Sequence, residues 1–428
     1  MIRIFNSDTD PIREIISRDM NKISGKIERI VSDIIENVRA NGDSALKEYS
    51  LKFDKTELDS FEVTDEEITE AFAAVDDKFI DILKEARENI YEFHKRQIRD
   101  NFVINDANGV ILGQKIIPIE KVGLYVPGGT APLPSTVLMT AVPAMAAGVS
   151  EIFMTTPPNR EGRVNPVILA AAKIAGVGRI FKVGGAQAIA ALAYGTQSIP
   201  VVDKIVGPGN AFVAEAKKQV FGKVGIDMIA GPSDICVVAD NTNDPAVIAT
   251  DMLSQAEHDK LATAVLVTTD EEFANDVAAN IEKQLAVLPR EEIARTSIDN
   301  NGMIIVTDTL EKAIEIANLI APEHLELCVD NPFDYLNDVK NAGSIFLGKN
   351  CPEPLGDYFA GPNHTLPTNG TSRFSSPLSV DDFVKKSQFT YFTENALAAV
   401  ADKVAYFARK EQLEAHARSA EIRSNNNE

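Results

Sequence analysis

Between residues 122 and 347 the chain alternates short runs rich in β-branched and aromatic residues with Ala-rich segments of helical spacing, a pattern that few architectures accept. The runs form two series: 122–126, 151–155, 179–183, 204–206 and 226–229, then 235–239, 262–268, 303–307, 325–329 and 344–347. Apolar strands separated by helices pair in parallel, and the sheet they make must be covered on both faces. The expected fold class is therefore α/β, with two open sheets of similar pattern. Such similarity suggests an internal duplication, although no residue-level repeat is visible.

One stretch invites a different reading. Residues 122–150 hold no charged side chain and are long enough to span a bilayer. Pro127, Pro132, Pro134 and Pro143, with Gly123, Gly128, Gly129 and Gly148, break any continuous membrane helix. The stretch reads as strand, loop and helix buried in a soluble core.

Upstream, Ile27, Ile30, Val31, Ile34, Ile35 and Val38 recur at amphipathic-helix spacing, with Gly42 as the stop. A second helical region opens with a Thr64/Glu67 capping box and carries Phe79, Leu83, Ala86, Ile90 and Phe93 on one face. Residues 350–379 are rich in Pro, Gly, Ser and Thr and are too long for a plain linker, so they are expected to carry part of a site. The chain should end in helix, with Leu397, Val400, Val404 and Phe407 as its apolar stripe, and residues 424–428 should fray.

Composition narrows the partners. The chain's 428 residues predict roughly two to four domains. Forty-two Lys and Arg against 63 Asp and Glu leave a net charge of −21, which repels phosphate backbones and anionic lipid, so neither nucleic acid nor a membrane surface is an expected partner. Cys236, Cys328 and Cys351 lack the spacing of a disulfide framework or a thiolate zinc site, and the N-terminus carries no apolar export signal. A reducing cytoplasm fits best. Cys236 and Cys328 lie in apolar runs and read as core, whereas Cys351 should be reachable.

Of five histidines, His94 sits beside Lys95 and Arg96 and reads as a solvated helix-face residue. The others lie in unusual settings: His258 in SQAEHD, His324 in APEHLEL, His364 in GPNHTLPT and His416 in EQLEAHA. Each alone could simply satisfy a local hydrogen bond, but four together point to a site. Gln255 and His258, three apart on a predicted helix, share a face and can reach one ion or ligand, a weak metal signal by itself. Asp357 is a carboxylate in a Pro/Gly-fixed loop and alone could be a turn residue. Glu323 and His324 sit where Pro322 ends a helix and a strand begins, so two proton acceptors of different basicity should emerge at one sheet edge.

No GxGxxG lies between a strand and a helix, so glycine spacing alone predicts no dinucleotide. The segments beginning at Tyr125, Gly184 and Gly207 nevertheless each follow a predicted strand. In a parallel sheet these three tips share the carboxyl edge, where ligands bind.

The strings GLYVPGGTAPLPSTVLM, VGGAQAIAALAYGT, VDKIVGPGNAFVAEAK, IDMIAGPSDI, LSQAEHD, APEHLEL, GDYFAGPNHTLPT and EQLEAHA together resemble the histidinol dehydrogenase family, in order from about residue 25 to 420. The resemblance implies an NAD-dependent four-electron oxidation of L-histidinol to L-histidine via L-histidinal, the last step of histidine biosynthesis, with one zinc per subunit. By the same carry-over, Gln255, His258, Asp357 and His416 are the zinc ligands and Glu323 and His324 the acid/base pair. Ser233, His364 and Glu411 contact histidinol, as do the ligands and His324, while Tyr125, Gln187 and Asn210 line the NAD site. One departure is Asp234, where the family pattern leads one to expect Glu after GPS.

The resemblance further implies two related, incomplete Rossmann-like domains with small helical extensions at both ends. Residues 1–25 would be an N-terminal extension. Residues 26–125 and 235–374 would form the zinc and acid/base domain, with 126–234 an inserted domain on the NAD side. Residues 375–428 would be a helical tail exchanged between subunits of a homodimer with shared active sites. Two alternatives remain at this point: a zinc-dependent hydrolase of a small nitrogenous substrate, and a non-catalytic small-ligand binding protein.

Overall fold

The structure, a computed structural model, describes residues 2–17, 25–128 and 132–424. The expected fraying of the last residues, and Gly129 in the first strand tip, lie outside them.

Two all-parallel sheets carry the larger of two compact units, which comprises Met1–Gln97 and Ile119–Phe383. One sheet has the order β6-β5-β4-β7-β8, formed by β4 (Lys121–Tyr125), β5 (Glu151–Thr156), β6 (Arg179–Lys182), β7 (Lys204–Val206) and β8 (Gly225–Ile226). The other has the order β1-β11-β10-β9-β12-β13, from β1 (Arg3–Asn6), β9 (Asp234–Ala239), β10 (Thr263–Thr268), β11 (Met303–Val306), β12 (His324–Cys328) and β13 (Ser344–Leu347). Without β1, both sheets run third-second-first-fourth-fifth in chain order, so the duplication suggested by the texture of the sequence is present in the topology. The ten expected strands all form, each within two residues of the expected bounds except the fifth, which shrinks to Gly225–Ile226.

The expected domain boundaries differ from this grouping. β4 lies between β5 and β7, so the sheet expected to begin after residue 125 already includes 121–125. The helix Gly25–Asn41 buries Val31, Ile34, Ile35 and Val38 against Phe153, Phe181 and Ile189, and the helix Asp77–His94 packs Leu83, Ala86 and Ile90 with Val122 and Leu124. Residues 25–97 thus cover the first-described sheet rather than joining the β9–β13 sheet. Apolar periodicity shows that these helices have a buried face but cannot say which sheet receives it.

The Thr64/Glu67 capping box forms as expected, but its helix stops at Ala74, and Asp76 caps a separate helix, Asp77–His94. The buried stripe of that second helix is Ile80, Leu83, Ala86, Ile90 and His94, one residue out of phase with the expected one at its ends, and Phe93 is exposed. The charge-free stretch resolves into β4 and the helix Pro134–Ala146, and among the described residues no helix is long and apolar enough to cross a membrane.

The smaller unit joins Ile98–Pro118 to the chain from Val384 onward. β2 (Phe102–Asn105), β3 (Val110–Pro118) and β14 (Val384–Phe392) form an antiparallel sheet in the order β14-β3-β2, followed by helices Glu394–Ala398, Ala401–Lys410 and Glu414–Ser424. The tail was expected to be helical throughout; its first strand is legible only through its pairing with a segment more than half the chain away. The stripe Val404 and Phe407 is exposed, while Ala401, Ala405 and Ala408 are buried.

Candidate active site

Two neighbouring strands begin with the residues of the site. β9 starts at Asp234 directly after Pro232 and Ser233, and β12 starts at His324 directly after Pro322 and Glu323. The preceding helix Leu310–Ile320 ends in a left-handed Ala321, after which Pro322 cannot continue it. Because β9 and β12 pair in parallel with His324 opposite Ile235, Asp234 and Glu323 face each other across the amino edge. Their bonds are reciprocal: the Asp234 N–H donates to Glu323 Oε2 at 3.0 Å, and the Glu323 N–H donates to Asp234 Oδ1 at 2.9 Å. Asp234 Oδ2 also accepts the Asn369 N–H at 3.1 Å.

His324 is oriented by the same residue. Its Nδ1 lies 3.2 Å from the Asp234 carbonyl oxygen, which can only accept, so Nδ1 carries the proton and Nε2 is left as the acceptor. Nε2 is buried without a hydrogen-bond partner, 3.7 Å from Glu353 Oε1, which is equally unpartnered. Burial pushes the imidazole down to about 4, against the pull of Asp357. Burial and then the Asp234 charge push Glu323 well above the usual carboxylate range, opposed by bonds from the Asp234 N–H and the Ser233 hydroxyl. The pair is a neutral imidazole at neutral pH beside a carboxyl group whose surroundings favour its protonated form.

The loop expected to carry part of the site does so through the short helix Glu353–Tyr358, started by Pro352. It brings Glu353 and Asp357 together with His324, ligand atom to ligand atom within 4.8 Å. Asp357 also meets His364, whose Nδ1 lies 3.1 Å from the Asp357 carbonyl oxygen and 3.6 Å from its Oδ1. Gln255 ends the helix Pro245–Ala256, its Oε1 buried and without a partner, and the His258 N–H donates to the Gln255 carbonyl at 3.2 Å. His258 is exposed, yet its charge bears on both His324 and His364. The helix stops at Ala256, so His258 lies past its end rather than on one helical face with Gln255; the orphaned amide oxygen of Gln255, the His258 imidazole and the Asp357 carboxylate are by their chemistry N/O donors of the kind zinc accepts.

Glu411 and His416 belong to the smaller unit, both exposed, in and just beyond a break between the helices Ala401–Lys410 and Glu414–Ser424. Gln412 in that break has a positive φ of 64°. The other expected residues lie at the carboxyl edge of the β4–β8 sheet. Tyr125 is buried, its hydroxyl accepting the Gly185 N–H at 3.1 Å; Gln187 is buried in the helix after that turn; Asn210 caps the helix Ala211–Val220 by accepting from Phe212 and Val213.

Sequence reasoning passed over three residues. Along the sequence Asp234 stands out only as a departure from a family pattern, whereas it holds both Glu323 and His324. Glu353 and Glu326 were not singled out; Glu326, fully buried in β12, accepts the Glu353 N–H at 2.7 Å and shares a side-chain hydrogen bond with Asp251. An acid inside the apolar run HLELCV was the available signal. His94, expected on a solvated face, is buried, with Nδ1 at 2.8 Å from the Ile90 carbonyl oxygen and Nε2 at 3.3 Å from Asn363 Nδ2, because the 359–364 loop covers the end of its helix. Cys236 and Cys328 are buried and Cys351 partly exposed, as expected.

The histidinol dehydrogenase family profile matches residues 17–424. The chain is 58% identical to a histidinol dehydrogenase of Clostridium acetobutylicum over 402 residues, covering 94% of this chain and 93% of that protein. It is 51% identical to one of Lactiplantibacillus plantarum over 423 residues, covering 99% of each. The crystal structure of histidinol dehydrogenase from Elizabethkingia anophelis superposes with a TM-score of 0.93 at 40% identity, over 99% of this chain and 98% of that one. With a site of this chemistry and likeness along nearly its whole length, the chain belongs to the histidinol dehydrogenase family and is an oxidoreductase.

Proposed function

We propose that the protein oxidises L-histidinol to L-histidine through L-histidinal, the last step of histidine biosynthesis, in the cytoplasm. The observation that carries this reading is the orientation of His324: Nδ1 is tied to Asp234, and the accepting Nε2 is buried and unpartnered beside Glu353 and Asp357. Zinc, held by Gln255, His258, Asp357 and His416, would fix the substrate's donor atoms and draw charge from the alcohol oxygen. NAD, lying along Tyr125, Gln187 and Asn210, would accept the hydride of each oxidation.

In the first oxidation His324 Nε2 takes the alcohol proton as hydride leaves the carbinol carbon, which yields the aldehyde. In the second, Glu323 takes a proton from the water adding to the aldehyde, and loss of hydride from the hydrate gives the acid. Burial that raises Glu323 also makes its carboxylate a stronger base once ionised. Ser233, already bonded to Glu323, contacts histidinol together with His364 and Glu411.

His416 and Glu411 would come from the partner subunit of a homodimer, which would thereby share its active sites. Support lies in the smaller unit, where the large apolar side chains of Phe102, Val103, Ile104, Tyr391, Tyr406 and Phe407 are exposed, as residues covered by a partner subunit would be. The hydrolase alternative is disfavoured by the family match, as is a mere binding role. The test is NADH absorbance with limiting histidinol. Two NADH per histidinol are expected; one would limit the enzyme to the alcohol step, and none would overturn the reading.

A further inference from the structure

Among the described residues of the β4–β8 sheet, one pair of charges is buried where nothing in the expected chemistry asks for it. Lys217 Nζ and Asp227 Oδ1 form an ion pair whose side chains are 2% and 1% exposed. Lys217 comes from the helix Ala211–Val220, and Asp227 follows β8. A buried ion pair is a poor source of stability, because the desolvation of both ions offsets their attraction, and apolar residues of similar volume often do as well. Val213, Ala216 and Val220 of the same helix belong to the apolar core.

The hydrogen bonds of the pair indicate its use. Lys217 Nζ donates to the Gly207 carbonyl oxygen at 2.9 Å, and the Gly207 N–H donates to Asp227 Oδ2 at 2.7 Å. Both backbone groups of one residue are therefore held by one ion pair, and Asp227 is fixed in turn by the Met228 N–H at 2.7 Å. Gly207 is the first residue past β7, with φ of +119°, and a Cβ there would overlap the carbonyl oxygen of Tyr125. β4 and β7 are adjacent, and the chain order reverses between them, so this contact lies at the topological switch point where open α/β sheets bind ligands.

We propose that the Lys217–Asp227 pair positions the dinucleotide site: by gripping Gly207 it holds the turn from Gly207 to Asn210 against Tyr125, so that Asn210 and the Tyr125–Gly185 link meet NAD in one fixed arrangement. The inference rests on the assignment of NAD to these strand tips. Neither residue touches the cofactor; both act through the backbone of Gly207. A floating turn would have to be ordered at each binding event, and that cost appears as weaker nucleotide binding.

The test uses the full-length, zinc-loaded enzyme and two readouts: NADH binding without histidinol, followed by the nucleotide's fluorescence, and the separate KM values for NAD and histidinol. Lys217→Met with Asp227→Asn removes both charges together, so no buried ion is left alone. The NADH Kd and the NAD KM should rise roughly tenfold, the factor an ordinary hydrogen-bonded contact is worth, with the histidinol KM and zinc content unchanged. Should that double variant fail to fold, Lys217→Arg keeps the charge but moves the donor, and should weaken NADH in the same selective way. Unchanged NADH affinity in the folded variant, or equal loss of affinity for both substrates, overturns the inference. Asn210→Ala and Gln187→Ala separate the two levels of the argument. If they leave NADH binding intact, the placement of NAD fails; if they weaken it while the ion-pair variant does not, only the positioning role fails.

Discussion

Replacing Asp234 by Asn tests whether one carboxylate both braces the acid/base pair and tunes it. The side chain accepts two backbone N–H groups, from Glu323 at 2.9 Å and Asn369 at 3.1 Å. An amide can accept only one of them and turns its NH2 toward the other, leaving one buried donor unsatisfied at a cost of about 1–3 kcal/mol. Melting temperature should fall by a few degrees. The electrostatic effect has a definite sign: the Asp234 charge is second only to burial in raising Glu323, so Asp234→Asn lowers the Glu323 pKa. Glu323 must be ionised to take a proton from water, so the rise of aldehyde oxidation with pH should move to lower pH. Single-turnover oxidation of histidinal with NAD across pH 5 to 10, on wild type and variant, measures it. A profile that stays in place or moves upward, in a variant shown to be folded, would refute the assignment of Glu323 as the base.

Four further outcomes are expected. Glu323→Gln should slow acid formation from the aldehyde far more than aldehyde formation from the alcohol, and His324→Asn should lose the alcohol step while still binding substrate; equal slowing of both half-reactions by either variant removes the division of labour. Chelation should abolish turnover and zinc should restore it, with metal affinity weakening as pH falls because protons compete with the metal for its ligands; a fully active metal-free preparation would contradict the ligand set. Mixing inactive His416→Ala and His258→Ala subunits under conditions of exchange should recover up to one intact site per mixed dimer, while no recovery despite proven exchange would mean that each subunit completes its own site. Glu326, pushed up to about 8 by burial and the Asp251 charge, holds a proton in the folded state that the unfolded chain releases above its ordinary value near 4.5. Unfolding in that window releases a proton, so the metal-free protein should lose stability as pH rises, by at most about 1.4 kcal/mol per unit from this group, and Glu326→Gln should flatten the fall; identical slopes of melting temperature against pH would exclude Glu326 as its source.

What the sequence makes legible follows from how local each signal is. The strands could be placed because each is a short apolar run bounded by turn residues, and Gln255, His258, Asp357 and Glu323–His324 because they sit in unusual strings. Asp234 escaped because its importance lies in facing Glu323, a relation created by the pairing of β9 with β12 and invisible along either segment. His94 reads as solvated for the same reason, since its neighbours in sequence are charged while its neighbours in space are Ile90 and Asn363. The grouping of residues 25–97 with the β4–β8 sheet, and of 98–118 with the tail, is likewise a matter of which apolar faces meet.

The pairing of β14 with β3 also bears on synthesis. Strand Val384–Phe392 completes a sheet whose other two strands, Phe102–Asn105 and Val110–Pro118, leave the ribosome with most of the chain still unmade. Until β14 emerges, β3 presents an open edge on the side that β14 will take, a hazard for nascent chains on one messenger. Glu411 and His416 lie beyond β14, so a translation product cut short before them lacks two residues assigned to the site. Premature termination ahead of Glu411 would then cost the protein its activity, and a nascent chain could not become active before β14 and the helices after it are made.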